Sequence, residues 1–228
     1  MKSGKWLLVA TAVLLLAVAG GGTASAKDEV KTVKDATDVL AEVMRIPEKG
    51  IPPALLRNAK AVAIIPGVIK GAFIVGGRHG TGVVLVKGES GRWSDPVFLS
   101  ITGGSVGWQI GGTSTDLVLV FKTLRGVESL MKGKFTLGAD AAVAAGPVGR
   151  NAEAATDVVL KSEILSYSRS RGLFAGVSLE GAALLADNDA DAAYYGKDIS
   201  TATILAGGGK KSPETRRLQQ LLLRYSRR

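Results

Sequence analysis

Cysteine is absent from the 228-residue chain, and histidine occurs once, at His79. Without cysteine there are no disulfides, no thiolate metal ligands and no lipobox to carry a lipid anchor. A packed core has to supply the stability. A single histidine gives no basis for a zinc or haem centre, and no cofactor is expected. Aromatic residues are scarce, at 5%. Trp93, Trp108, Tyr194 and Tyr195 read as packing residues rather than as a stacking platform for bases. The scarcity does not signal disorder, because Val, Ile, Leu and Ala are plentiful. Thirty glycines among them suggest short strands joined by many turns.

Most of the chain also lacks a surplus of one charge. The formal net charge is +9, but it is unevenly placed. Lys2 and Lys5 supply two charges, and residues 210–228 set seven basic side chains against Glu214 alone. Residues 27–209 hold 20 basic and 19 acidic side chains. A nearly neutral domain with a basic tail does not read as a nucleic-acid-binding domain.

The first 26 residues read as a cleavable signal peptide. Lys2 and Lys5 make a positive start, Trp6 to Ala19 is apolar and uncharged, and Ala24-Ser25-Ala26 gives the small-x-small cleavage pattern. An uncleaved anchor is the rival reading. Three glycines and a Thr/Ser end make residues 6–26 a poor span, so export to a periplasm or beyond is expected. The remaining chain, roughly 200 residues, suits one domain.

Val30, Val33, Thr37, Leu40, Ala41 and Met44 recur at helical spacing, which predicts a helix over 28–45, stopped by Ile46-Pro47. Pro52-Pro53 opens a short helix through Asn58. Apolar β-branched runs follow at 61–65, ended by Pro66-Gly67, and at 71–77. Arg78-His79-Gly80 reads as a tight turn before 81–87. Further runs cover 97–102, 105–110 and 117–123. A helix is expected over 124–132, mixed strand patterns over 135–145 and 164–186, and short helices within 187–195 and 199–205. Without a βαβ alternation the prediction is α+β: a single domain with a mainly antiparallel, glycine-rich sheet or partial barrel flanked by short helices. Residues 27–206 form that domain, and 207–228 read as a glycine linker and a C-terminal helix.

Several patterns suggest chemistry and fail on spacing. Gly103-Gly104-Ser105-Val106-Gly107 matches the hydrolase elbow, which needs a helix after the serine. A strand-like run follows instead, so a Ser105 hydrolase is the weakest alternative. Gly207-Gly208-Gly209-Lys210-Lys211-Ser212 has Ile204 where a P-loop needs glycine. Asp187, Asp189 and Asp191 alternate as in a calcium loop, but Ala192 and Asp198 stand where an EF-hand needs glycine and glutamate. A helix N-terminus fits better.

The tail has a clearer reading. Ser212 caps a helix with Pro213 at its first position. Leu218, Leu221, Leu222 and Tyr225 share one face, while Arg216, Arg217, Arg224, Arg227 and Arg228 occupy the rest. Such a helix either lies on an anionic bilayer with its leucines inserted or docks its leucines on its own domain.

Ile46-Pro47, Ile51-Pro52 and Ala59 to Pro66 begin a resemblance to the SYLF family. It continues through Gly76 to Gly82, Trp93-Ser94-Asp95-Pro96, Gly103 to Gly111 and Leu137 to Asp140. It runs on through Ala145 to Arg150 and Ser166 to Phe174, and closes with Gly181 and Tyr194-Tyr195-Gly196, covering about residues 36–205. The resemblance implies a non-enzymatic lipid-binding module. Eukaryotic relatives bind phosphoinositides, some bind actin, and in some the amphipathic helix before the domain engages the membrane. For an exported chain, actin is not an expected partner, and phosphatidylglycerol or cardiolipin replaces the phosphoinositide. The expected function is therefore binding of anionic phospholipid in the cell envelope. An envelope protein bound by the C-terminal helix is the alternative. The expected lipid contacts are Lys210, Lys211, Arg216, Arg217, Arg224, Arg227 and Arg228, with Lys60, Lys70, Arg150, Arg169 and Arg171 as weaker ones that could equally be structural ion pairs.

Overall fold

Ala61-Val62-Ala63-Ile64-Ile65 does not alternate apolar with polar, and the computed structural model explains why. All five side chains are fully buried, because the sheet they belong to is covered on both faces. The structure describes residues 26–45, 50–73, 75–105, 113–132, 134–148, 159, 161–170, 173–196, 198–209 and 212–227. The expected signal peptide lies outside them, apart from Ala26.

The described part of the chain opens with α1 (Ala26–Val43) and α2 (Pro53–Asn58). The long hairpin β1 (Ala61–Phe73) and β2 (Val75–Val86) follows, then β3 (Val97–Ser105) and β4 (Thr113–Phe121). After α3 (Arg125–Met131) come β5 (Lys134–Thr136), β6 (Val143–Ala145), β7 (Ile164–Ser170), β8 (Leu173–Gly176) and β9 (Ala183–Ala186). Three helices end the chain: α4 (Asn188–Tyr195), α5 (Thr201–Leu205) and α6 (Pro213–Ser226). The described strands form one curled sheet in the order β5-β9-β3-β2-β1-β4-β7-β6, with β8 on β7. Every pair is antiparallel except β6 with β7. The predicted α+β class and mainly antiparallel partial barrel are what the structure has.

One face packs Val62, Ile64, Val83, Leu85, Phe98, Val118 and Val120 against α1, α2 and α6. The other packs Ala63, Ile65, Leu99, Ile101, Leu119 and Phe121 against α3, α5 and β5.

The glycine-rich hairpin corrects two expectations. Pro66-Gly67 does not end a strand. It forms a bulge inside β1, where the register slips by one residue against both β2 and β4. Gly67 there has φ +59, and its N–H donates to Asp116 Oδ1 at 3.0 Å. A proline at a bulge costs the ladder little, because a bulge already leaves one residue unpaired. Arg78-His79-Gly80 is not a turn either. It lies within β2, opposite Lys70 and Ile69 of β1 and Gly103, Thr102 and Ile101 of β3. Gly82 is there for close approach and not for turning: a Cβ on it would stand 2.2 Å from the Ile64 carbonyl oxygen. The apolar run at 71–77 is the end of this same hairpin. The run predicted at 105–110 is represented only by Ser105, the last residue of β3; 106–112 lie outside the described residues.

The three aspartates resolve as a helix start. Asp187 caps α4 by accepting from Ala190 N at 3.0 Å, and Gly196 closes it at φ 71. Gly207-Gly208-Gly209 is a packed turn rather than a loose linker. Gly208 N donates to Thr203 O at 2.9 Å, and a Cβ on Gly209 would meet the Tyr195 ring at 2.5 Å.

Candidate functional site

The basic C-terminal helix was the strongest sequence signal for a surface site, so its setting decides what the site can do. Ser212 accepts from Thr215 N at 3.0 Å, and Pro213 sits in the first turn, as predicted. Thr215, Leu218, Leu222 and Ser226, spaced three, four and four apart, then face inward and are buried, both leucines fully. The partners are α1 and α2 in the first core layer. Burial of two leucines is worth about 1.5–3 kcal/mol each.

Polar contacts hold the start and the middle of the helix. Gln219 Nε2 donates to Ser94 O at 2.8 Å, Asp95 Oδ1 at 3.0 Å and Trp93 O at 3.2 Å. The Tyr194 hydroxyl lies 2.6 Å from Ser212 Oγ and 2.9 Å from Thr215 Oγ1. Tyr195 donates to Pro96 O at 2.7 Å. The motifs Trp93-Ser94-Asp95-Pro96 and Tyr194-Tyr195 therefore serve to dock α6. Of the two uses open to its leucines, the structure takes the internal one. Leu218 and Leu222 are core residues and not membrane-inserting ones, while Leu221 and Tyr225 are half-buried against the same core. The expected insertion of the tail leucines is corrected on this ground. Helix α1 is likewise committed, with Val33, Ala36 and Leu40 fully buried.

What α6 shows to solvent is charge. Arg216, Arg217, Arg224 and Arg227 are exposed. Arg217 and Arg224 flank a cleft of about 300 Å³ between α6 and α1, with Thr37, Ala41 and Leu221 on its walls. Lys210, Lys211 and Arg228 lie outside the described residues, as do Arg150 and Arg171. Lys60 is exposed at the start of β1, while Lys70 stands opposite Arg78 in the β1–β2 register. Arg169 is an internal fastener: Nε and Nη2 donate to Asp116 Oδ2 at 3.0 and 2.7 Å, and Nη1 pairs with Glu42 of α1. It closes one side of a larger cleft, about 470 Å³, whose walls also carry Lys31, Asp35 and Asp38. With Asp116 the walls set three carboxylates against two cations, which offers no preference for an anion.

Two groups have a setting that the sequence did not reveal. Arg78 is half-buried in β2, and its Nε and Nη1 are shielded from water with no acceptor. Burial lowers its pKa. Asp191 is fully buried in α4. Its Oδ1 accepts from Phe98 N at 2.9 Å, while Oδ2 has no partner. Burial is the main cause of its pKa rising to about 7, opposed by the Phe98 N–H and reinforced by Asp187 and Glu29. The sequence set Asp191 only in a calcium-like spacing and Arg78 only in an expected turn, and burial is what singles them out.

The hydrolase alternative gains no geometry. His79 faces Thr102 in the register and Ser105 faces Gly76, which puts the two positions about 10 Å apart along the strands. Among the described residues no cluster of three His, Asp or Glu side chains could hold a metal. No described helix is long and apolar enough to cross a membrane.

The family profile Ysc84, described as "Las17-binding protein actin regulator", matches residues 102–225 and so runs through α6. Protein YSC84 of Saccharomyces cerevisiae is 39% identical over 175 residues, 75% of this chain and 37% of that protein. The human SH3 domain-containing YSC84-like protein 1 is 36% identical over 198 residues, 86% of this chain and 57% of its own length. Its Xenopus laevis counterpart is 38% identical over 178 residues, covering 77% and 53%. This chain thus spans about a third to a little over half of the relatives it matches. With the Trp-Ser-Asp-Pro and Tyr-Tyr-Gly motifs at structural joints and the match extending through the docked helix, the chain belongs to the Ysc84 (SYLF) family of binding domains.

Proposed function

We propose that this chain is a non-enzymatic module, exported to the cell envelope, that binds anionic phospholipid at a membrane surface. One observation carries the reading. Arg217, Arg224 and Arg227 are exposed on α6 and enter no ion pair among the described residues, while the apolar stripe of the helix is locked inside. Such a surface offers guanidinium forks that match phosphate oxygens. Each cation near an anionic leaflet contributes about 1 kcal/mol, and Lys210, Lys211 and Arg228 add to the count. Binding of this kind is reversible and falls with salt. Phosphatidylglycerol and cardiolipin are the fitting lipids for an exported protein, and the actin regulation printed for the family is not carried over.

The family description favours a second reading, since it names a protein partner. An acidic segment of an envelope protein across the α1–α6 cleft would use the same arginines. Flotation of the full chain with phosphatidylglycerol vesicles and with neutral phosphatidylcholine vesicles, at low and high salt, separates the two. The lipid reading expects flotation on anionic vesicles that weakens as salt rises. No flotation on them at low salt sinks it and leaves the protein partner.

A further inference from the structure

The helices leave one part of the sheet uncovered. β1 ends and β2 begins at the same end of the sheet as the last residue of β3, the first of β4, the last of β7 and the first of β8. The most exposed large apolar side chains of the described residues are both here: Ile69 at 62% and Leu173 at 78%. They lie three strand spacings apart across β1, β4, β7 and β8, about 14 Å. Ile69 pairs with His79; Arg78, one residue before His79 and so on the other face of the same sheet end, pairs with Lys70.

Arg78 is the anomaly at this end. A guanidinium with two donor nitrogens, Nε and Nη1, shielded from water and unbonded costs free energy that an acceptor would recover. Among the described residues no carboxylate forms an ion pair with it. The neighbouring backbone is bare on one side: Gly103 stands opposite Arg78, and a Cβ there would touch the Arg78 side chain at 3.6 Å. The side chain is only half-buried, so rotation about its terminal torsions carries those N–H groups to the surface.

We propose that this sheet end is the membrane-facing edge of the protein: Arg78 takes the phosphate of an anionic phospholipid while Ile69 and Leu173 enter the headgroup–acyl boundary. The assignment rests on the lipid-binding reading above and adds what α6 cannot supply, an apolar contact with the bilayer. A bilayer is the fitting occupant because the edge pairs unburied aliphatic side chains with an unneutralised cation, the combination an anionic interface rewards.

The test uses the full chain on phosphatidylglycerol vesicles, with phosphatidylcholine vesicles as control. Variants are Arg78→Met, Arg78→Lys, and the pair Ile69→Ser with Leu173→Ser, each checked by thermal melting. Arg78→Met is expected to lower vesicle affinity about tenfold while leaving the melting temperature unchanged or higher, because it removes an unpaired buried charge. Arg78→Lys keeps the charge but loses the fork and falls between. The apolar pair is expected to cost about tenfold as well, without loss of stability. If the parent floats and all the variants float equally well, the edge assignment is overturned and lipid binding stands. If affinity falls only in step with a lower melting temperature, the residues are structural and the assignment is also overturned. If the parent itself does not float, both readings fall together.

Discussion

The helical layer and the open end of the sheet dispose of their apolar residues in opposite ways. Over the first sheet face, α1 and α6 bury Leu40, Leu218 and Leu222 and, Val30 apart, show solvent mainly charge and polar groups. At the hairpin end the sheet keeps Ile69 and Leu173 in water and leaves the guanidinium of Arg78 half-buried and unpaired. Amphipathicity in a sequence marks a helix that must cover something, and a domain's own core is the nearest thing to cover. At the sheet end it is the combination that marks the surface: exposed aliphatic side chains beside a guanidinium with no acceptor, not an exposed leucine alone.

Four variants would break or sharpen this comparison. The largest effect is expected in the hairpin that carries the open end. Gly82→Val places a side chain against the Ile64 carbonyl oxygen and the Ile65 backbone, from which a bare Cβ would already be 2.2 and 2.6 Å. A loss of about 3 kcal/mol or more is expected in a urea melt. In the covered region, Leu222→Ala opens a cavity under α6 and is expected to cost about 2–5 kcal/mol. Vesicle affinity of the protein that remains folded should not change, since this leucine never meets lipid. Loss of affinity at full stability would return the leucine face to the membrane.

The third variant probes the join between α1, α4 and β3. Asp191 has its pKa pushed up to about 7 from 3.8 by burial and by Asp187 and Glu29, against the Phe98 N–H that lowers it. Glu29 is also raised, first by burial and then by Asp187 and Asp28. The folded chain therefore holds protons that the unfolded chain has released. Stability from Asp191 is full below about pH 4 and is lost as pH rises to about 7, by on the order of a few kcal/mol, and Glu29 acts in the same direction. Asp191→Asn should flatten that slope in denaturant melts taken across pH 4–8. An unchanged slope would place the coupling elsewhere. The smallest effect belongs to the basic helix face. Arg217→Gln with Arg224→Gln is expected to weaken vesicle binding by about 1 kcal/mol per arginine at low salt, and by less at high salt.

Element positions were largely legible in the sequence, because helical spacing, proline starts and serine or aspartate caps are local signals. Ser212 and Asp187 cap helices where the pattern placed them. The hairpin was misread because glycine has two uses. Gly80 and Gly82 look like turn residues, but they make room for the bulged β1 strand that crosses them. That need depends on a partner strand, and no local pattern records it. The destination of α6 was equally hidden. Gln219, the residue that ties it to Trp93, Ser94 and Asp95, is an ordinary polar residue until the fold brings those carbonyls to it. Arg169 and Arg217 look alike in sequence, yet one faces Asp116 and Glu42 and the other faces water. Only the pairing of distant elements separates a structural arginine from an available one.

The absence of cysteine permits a direct measurement. A single cysteine introduced at Leu173, or in a second protein at Arg217, carries an environment-sensitive fluorophore that reports contact with hydrocarbon. On phosphatidylglycerol vesicles the label at 173 is expected to shift to the blue and to be quenched by lipids brominated on their acyl chains. The label at 217 should keep its aqueous spectrum. A blue shift at 217 with none at 173 would contradict the account and place the membrane on the helical side.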